Sequence, residues 1–277
     1  MISIVICSRQ SDIPPENRRN IETTIGCEHE IIVIDNSANR YNIFQAYNKG
    51  VERSKGDILL LLHDDVTYRS NGWGKTIEHI LQDESIGLVG AIGSHVMPDF
   101  PAYYSESPYI SSHNADNDEG VLKAHTHGYW DEQGLAEVSV VDGQQMFIPR
   151  RLFPPLMFDE SRYTGFHGYD MDISMQVQAL GKRVVVTNKI DSEHIWSERK
   201  WENRNMTSQL YEAMDIFVDK WRSRLPIITG IDKPAVEVEN VLMLWRDSYR
   251  YRMIRQSKAY RLGKILLRPF SSSIKGS

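Results

Sequence analysis

Gly56-Asp57-Ile58-Leu59-Leu60-Leu61-Leu62-His63-Asp64-Asp65-Val66 is the stretch whose reading decides the fold. A strand with one wet face alternates apolar and polar residues. The unbroken aliphatic run from Ile58 to Leu62, entered through Lys55-Gly56-Asp57, instead reads as a central strand buried on both faces. It stops at a histidine and two adjacent carboxylates. Open α/β sheets bind ligands outside the carboxyl ends of their strands, so polar chemistry belongs there. Neighbouring carboxylates repel each other unless a cation or hydrogen-bond donors compensate. A hard divalent ion that itself holds phosphates would do so. An Asp-Asp turn capping the next element fits the same residues.

Upstream, Ile2-Ser3-Ile4-Val5-Ile6-Cys7 is a β-branched strand followed by Ser8, Arg9 and Gln10. Pro14-Pro15-Glu16-Asn17 turns into a short helix reaching about Thr24. Glu30-Ile31-Ile32-Val33-Ile34 is a second strand ending in Asp35-Asn36-Ser37, and Ile43 to Arg53 carries Phe44, Tyr47 and Val51 at helical spacing. The β-α-β-α-β order predicts a parallel, right-handed, Rossmann-like sheet. Three strand ends then converge: Ser8-Arg9, Asp35-Asn36 and His63-Asp64-Asp65. That is a nucleotide-site geometry without a glycine-rich loop, since neither G-x-G-x-x-G nor a P-loop occurs.

Downstream, a helix is expected from Gly72-Trp73-Gly74 to about Gln82, and a strand at Ile86-Gly87-Leu88-Val89-Gly90-Ala91. From Gly93 to about Glu137 the pattern lapses into a long irregular segment. It is rich in aromatics and histidines: Tyr103, Tyr104, Tyr109, His113, His125, His127, Tyr129 and Trp130. Irregular stretches of this length are commonly functional, and aromatics there suit sugar stacking or ordinary loop packing. Val138 to Val141 reads as a strand leading into Asp142-Gly143-Gln144-Gln145, with Met146 to Pro149 continuing it. Gly165-Phe166-His167-Gly168-Tyr169-Asp170-Met171-Asp172 opens a helix running to about Leu180 and closed by Gly181. Its carboxylates also suit a helix N-terminus for purely structural reasons. Lys182 to Thr187 is a further strand, and His194 follows among apolar residues. Helical texture resumes from Met206 to Trp221 and from Val236 to Tyr251. The end of the sequence is basic and apolar together, a candidate for peripheral contact with an anionic membrane or for packing on its own domain or a sister subunit.

The chain has 277 residues, enough for one large domain or a core domain with an appendage. At 41% hydrophobic and 25% charged it can bury a substantial core. A net charge of −5 argues against a dedicated nucleic-acid binder. Cys7 and Cys27 form neither a metal spacing nor a disulfide framework, which suits a reducing compartment. The sequence enters a strand pattern at once and no stretch is long and apolar enough to span a bilayer. Neither a signal peptide nor a membrane span is therefore expected, and a cytoplasmic location is.

Ala46-Tyr47-Asn48-Lys49-Gly50, Lys55-Gly56-Asp57 and Leu62-His63-Asp64-Asp65-Val66, followed in order by Asp142-Gly143, Gly168-Tyr169-Asp170-Met171-Asp172 and His194, resemble a known pattern. It is that of family 2-like glycosyltransferases with the GT-A fold. The resemblance spans Ile2 to Trp201 and is more specific as an ordered set than in any one motif. It implies an α/β, Rossmann-like fold with a mostly parallel central sheet flanked by helices. A catalytic domain over residues 1–201 would bind nucleotide sugar and acceptor, and residues 202–277 would form a helical extension. The implied reaction is transfer of a sugar from a UDP-, GDP- or dTDP-sugar to a hydroxyl of a glycan or lipid-linked acceptor, inverting and dependent on Mn²⁺ or Mg²⁺. Polysaccharide assembly at the inner face of a membrane would suit it, by a monomer or a homo-oligomer.

Residue by residue, the resemblance implies that Asp65 holds the metal and His194 completes the metal or diphosphate site. Asp64 would face the ribose or support the metal, and Asp35 would bond the base. Ser8, Arg9, Asn48 and His63 would join the nucleotide-sugar site. Asp170 would be the general base, with Asp172 as the alternative, and Asp142, Gly143 and Trp130 would face the acceptor. Two positions depart from the pattern: His63 stands where a first aspartate is common, and Tyr169 where a glutamate often precedes the catalytic aspartate. Two other readings share many of these features. One is a nucleotidyltransferase, which normally needs a glycine-rich basic loop near its N-terminus. The other is a non-catalytic sugar-nucleotide or glycan-binding protein.

Overall fold

The computed structural model describes residues 1–118, 121–195 and 204–257. The chain divides into two compact units, Met1–Ile231 and Asp232–Ser277. The boundary expected at residue 201 lies outside the described residues.

In the first unit β1 (Ile2–Ser8), α1 (Pro15–Thr24), β2 (His29–Asp35), α2 (Ile43–Arg53), β3 (Ile58–Leu62), β4 (Val66–Tyr68), α3 (Trp73–Ile80) and β5 (Ile86–Gly90) come first. They are followed by β6 (Ile92–Ser94), β7 (Val96–Met97), β8 (Ile110–Asp118), β9 (Val121–His127), β10 (Leu135–Glu137), β11 (Val140–Val141) and β12 (Gln145–Pro149). Then come α4 (Tyr169–Ala179), β13 (Arg183–Thr187), β14 (Ser192–Ile195), α5 (Arg204–Trp221) and β15 (Ile227–Ile228). In the second unit the described helix is α6 (Ala235–Gln256).

The main sheet runs β10-β13-β5-β12-β3-β1-β2. Strands β2, β1 and β3 are mutually parallel, as are β5 and β13. Strand β12 lies antiparallel between β3 and β5, and β10 is antiparallel at one edge. The pleat sorts the aliphatic runs onto two faces. Val5, Leu59 and Leu61 join a core with Phe44 and Tyr47 of α2, Met171 and Met175 of α4, and Met214 and Phe217 of α5. Ile4, Ile6, Leu60 and Leu62 join a second core with Ile21 of α1 and Trp73 and Ile77 of α3. Helices on both faces are why β3 needs no polar alternation. Helix α2 starts with a capping box in which Asn42 accepts from the Gln45 N–H and the Gln45 side chain accepts from the Asn42 N–H.

The segment from Gly93 to Glu137 is not irregular, which corrects the reading from sequence. It supplies β8 and β9, paired as a long antiparallel hairpin, within a second sheet of order β11-β6-β8-β14-β4. Nor is Val138 to Val141 one strand. Leu135–Glu137 pairs with β13 in the main sheet, whereas Val140–Val141 pairs with β6 in the second.

Candidate active site

Parallel strands deliver their last residues to one rim of the main sheet. Strand β2 ends there at Asp35, and β3 ends just before His63-Asp64-Asp65. Strand β12 runs the other way and brings its first residues to the same rim. Gln145 lies opposite Leu62, and the His63 N–H donates to the Gln144 carbonyl at 3.0 Å. The Asp142-Gly143 turn is thereby set beside the end of β3. Strand β14 pairs with β4 in a register that puts His194 opposite Val66, and the Ile195 N–H donates to the Asp65 carbonyl at 2.9 Å. Helix α4 begins after Gly168, whose φ of +92° is a left-handed conformation that favours glycine.

These pieces line a cleft of about 1040 Å³ that includes Arg9, His63, Asp64, Asp65, Asp142, Gly143, Asp170 and His194. Asp65, Asp170 and His194, distant in sequence, thus share one cavity. Ligand atoms of His63, Asp65 and His194 all lie within 4.8 Å of one another. His194 Nε2 is 3.3 Å and His63 Nδ1 is 3.9 Å from Asp65 Oδ1. Burial pushes the His63 imidazole below its ordinary range, against the pull of Asp65. Burial acts the same way on His194, but there the hydrogen bond and charge of Asp65 outweigh it and the group is raised. Two imidazoles and one carboxylate form a donor set that suits a divalent transition ion. The ordered-motif reading assigned Asp65 and His194 to the metal. The structure adds His63, whose i, i+2 spacing from Asp65 was the available signal.

Asp170 is buried in the first turn of α4. Its Oδ1 accepts from the Met171 N–H at 2.9 Å and its Oδ2 from the Gly143 N–H at 3.2 Å. Burial, then the charge of Asp142, push its carboxyl up to about 7, and the backbone donors only partly oppose them. Asp142 is itself held by the Tyr104 hydroxyl and by the Gln144 N–H at 2.8 Å. Tyr169 lies between the two groups of ligating and basic side chains. Its hydroxyl is 2.6 Å from His63 Nε2, and a Cβ on Gly143 would overlap that hydroxyl. Glycine at position 143 is what lets the ring come so close.

Other expected site residues stand outside the cleft lining. Ser8 is buried and its Oγ donates to Asp64 Oδ2 at 2.8 Å. Asp35 accepts from the Ser37 N–H at 2.9 Å, while Asn36, Ser37, Arg40 and Tyr41 line the cleft instead. Asn48 ties α2 to the chain before α4, donating to the Phe158 carbonyl at 2.9 Å and accepting from the Phe158 N–H at 3.0 Å. Trp130 is partly buried against the core. Asp172 needs a correction as alternative base. It is 1% exposed and accepts from Trp221 Nε1 at 2.9 Å, Gln176 Nε2 at 2.8 Å and Lys220 Nζ at 2.9 Å. With its oxygens so engaged it has no approach to an acceptor. Tyr103 and Phe166 also line the cleft. The reading from sequence put Phe166 in the opening of the following helix and gave it no role, whereas it lies in the loop ahead of α4.

A sequence model of the family described as "Glycosyltransferase like family" matches residues 3–221. The Streptomycin biosynthesis protein StrF of Streptomyces griseus is 29% identical over 160 residues, which cover 56% of this chain and 53% of that protein. The chain therefore spans about half the length of that curated relative. The fold is similar to the crystal structure of GalNAc-T7 with UDP, GalNAc and Mn²⁺, at TM-score 0.50 and 14% identity, over 70% of this chain and 44% of that one. It is also similar to the mannosyltransferase PcManGT from Pyrobaculum calidifontis in complex with GDP-Man and Mn²⁺, at TM-score 0.53 and 12% identity, over 100% of this chain and 76% of that one. At such identities the two structural likenesses speak for the fold alone.

Proposed function

We propose that this chain, which belongs to that glycosyltransferase-like family, is a glycosyltransferase that moves a sugar from a nucleoside-diphosphate donor to an acceptor hydroxyl with inversion, using Asp170 as general base. The observation that carries this reading is Asp170 itself: a buried carboxylate, pushed up to about 7, in a cleft shared with a His-Asp-His cluster. A general base works best when its pKa lies near the operating pH.

In the proposed reaction Asp170 takes the proton of the acceptor hydroxyl as its oxygen attacks the anomeric carbon. The bond from that carbon to the diphosphate breaks on the opposite face, and the nucleoside diphosphate leaves. Each Asp170 oxygen already accepts one backbone N–H, but a carboxylate oxygen has a second lone pair, so capacity to take the proton remains. Arg9 and Arg40 line the cleft as fixed cations for the diphosphate, and the stretch from Asn36 to Tyr41 would take the nucleoside. Ser8 would steady Asp64, and Asp35 would shape the nucleoside side through Ser37.

His63, Asp65 and His194 are the residues that would hold a divalent cation. The donor set favours Mn²⁺ over Mg²⁺, which prefers an all-oxygen shell. Such an ion, when bound, supplies Lewis-acid stabilisation of the leaving diphosphate. The acceptor would be a glycan or lipid-linked hydroxyl, approached from the side of Asp142 and Gly143.

A thermal-shift panel of UDP-, GDP- and dTDP-sugars with and without Mn²⁺ identifies the donor, because a bound ligand raises apparent stability by mass action. With that donor, Asp170→Asn should lower kcat by roughly 10²–10⁴-fold while nucleotide binding persists. Near-normal transfer by this variant would remove Asp170 as base. Release of pyrophosphate instead of a nucleoside diphosphate would make the protein a nucleotidyltransferase.

A further inference from the structure

Residues Thr164 to Gly168, in the loop ahead of α4, all line the cleft. Both ends of this stretch are pinned. The Tyr163 ring stacks on Phe44 with centroids 4.7 Å apart, and the Tyr163 carbonyl accepts from Asn42 Nδ2 at 3.3 Å. At the other end the Tyr169 hydroxyl is 2.6 Å from His63 Nε2. Phe166 stands in the middle. Its ring centroid lies 5.9 Å from that of His63, 5.6 Å from that of His167 and 6.0 Å from that of Tyr169. Even so, Phe166 is 38% exposed. A ring that its neighbours hold but do not cover, on a stretch fixed at both ends, presents a preformed surface to whatever enters the cleft.

Its place along the rim says what enters. The main sheet runs β12-β3-β1-β2 toward one edge. Asn36 to Tyr41, the nucleoside end of the proposed site, follow β2 at that edge. His63 follows β3, two strands away, and Gly143, which bonds Asp170, precedes β12 on the far side. Phe166 lies against His63 and Tyr169, so a sugar rather than a nucleobase meets it. His63, Asp65, Asp142, Asp170 and His194 offer that part of the cleft hydrogen-bonding and charged groups. Such groups suit the hydroxyls of a sugar. A pyranose also has apolar C–H faces, and a flat aromatic covers those. The donor sugar is tethered through its diphosphate to the arginines and the metal cluster. An acceptor sugar has no such tether and needs an anchor close to the base, and Phe166 precedes Asp170 by four residues.

We propose that Phe166 is the platform on which a pyranose ring of the acceptor stacks while its hydroxyl is presented to Asp170. The proposal rests on the glycosyl-transfer reading and extends it to the chemistry of the acceptor, a cyclic sugar rather than an acyclic alcohol.

The test uses the full chain with Mn²⁺ and the nucleoside diphosphate that the thermal-shift panel selects. Methyl pyranosides of glucose, galactose, mannose and rhamnose are the probes, with glucitol as the acyclic control, in saturation-transfer NMR. At least one pyranoside should receive saturation at its ring C–H protons, and glucitol should receive none. Phe166→Leu keeps apolar bulk but removes the flat face, so it should weaken that pyranoside by about tenfold. Its KM in transfer should rise by a similar factor while kcat falls by less. Phe166→Trp should bind at least as tightly as the wild type. An unchanged melting temperature and an unchanged affinity for the nucleoside diphosphate separate this role from packing of the loop. Asp170→Asn should retain pyranoside binding, so losing the base assignment and losing the platform are distinct results. Absence of pyranoside binding overturns the proposal, as do equal binding by Phe166→Leu and weakened binding by Phe166→Trp. A loss in Phe166→Leu confined to the nucleoside diphosphate also overturns it and moves the ring to the donor side.

Discussion

At the scale of single residues, the two positions that depart from the glycosyltransferase pattern touch each other. The Tyr169 hydroxyl bonds His63 Nε2 and leaves His63 Nδ1 turned toward Asp65. Partners of this kind fix the tautomer and orientation of a ligating imidazole, and their loss typically weakens metal binding about 10–100-fold. Tyr169→Phe should therefore lower Mn²⁺ affinity by that order, read by electron paramagnetic resonance of free Mn²⁺, with the fold intact. Asp170 governs pH dependence. Its folded pKa is raised, so the basic form is lost as pH falls through about 7. Below that value kcat/KM should drop about tenfold per pH unit. Asp142→Asn removes the smaller of the two upward influences, so the acid limb should move to lower pH by part of the displacement. That Asp65, Asp170 and His194 share one cleft was legible only from their order along the chain, because each alone has a structural use, in a turn, at a helix start or in packing. Tyr104 was not, since a tyrosine gripping Asp142 from 38 positions away leaves no local pattern.

At the scale of elements, α4 and α5 are joined by a polar clasp inside a mostly apolar contact. Lys220 Nζ bonds both Asp172 and Asp159, and the Trp221 indole N–H bonds Asp172. Removing one partner of a buried pair typically costs about 3–5 kcal/mol. Lys220 keeps Asp159 in the Asp172→Ala variant, so the lower end, about 3 kcal/mol, applies. For a unit of this size that lowers Tm by roughly 6–12 °C in a calorimetric scan. Because Asp170 shares the first turn of α4, kcat should fall too, by less than in Asp170→Asn. The strands of the first half were readable from their aliphatic runs. Strand β8 was not, because it buries polar side chains that find partners only in the fold. Ser111 bonds His95 Nε2 at 2.7 Å, and Asn114 accepts from the Ser192 hydroxyl at 3.0 Å. Without apolar alternation its sequence looks like a loop.

At the scale of the whole molecule, the proposed metal site should couple to stability. Mn²⁺ at about 100 times its Kd adds about 2.7 kcal/mol, provided the unfolded chain binds none. The melting temperature should rise accordingly in Mn²⁺ and stay flat for Asp65→Ala. The rim location of the cleft was legible from strand order, since three parallel strands had to share a carboxyl edge. The inserted reverse strand was not, and it carries one more implication. Strand β5 bonds only β12 and β13 among the described residues, so Ile86–Gly90 has no ladder until Gln145–Pro149 exist. On the ribosome, at about 5–20 residues per second, that interval lasts roughly 3–12 s. Throughout it the nascent chain exposes a bare aliphatic ribbon, a natural client for a holding chaperone, and a fragment ending before residue 140 should precipitate where the full chain stays dispersed.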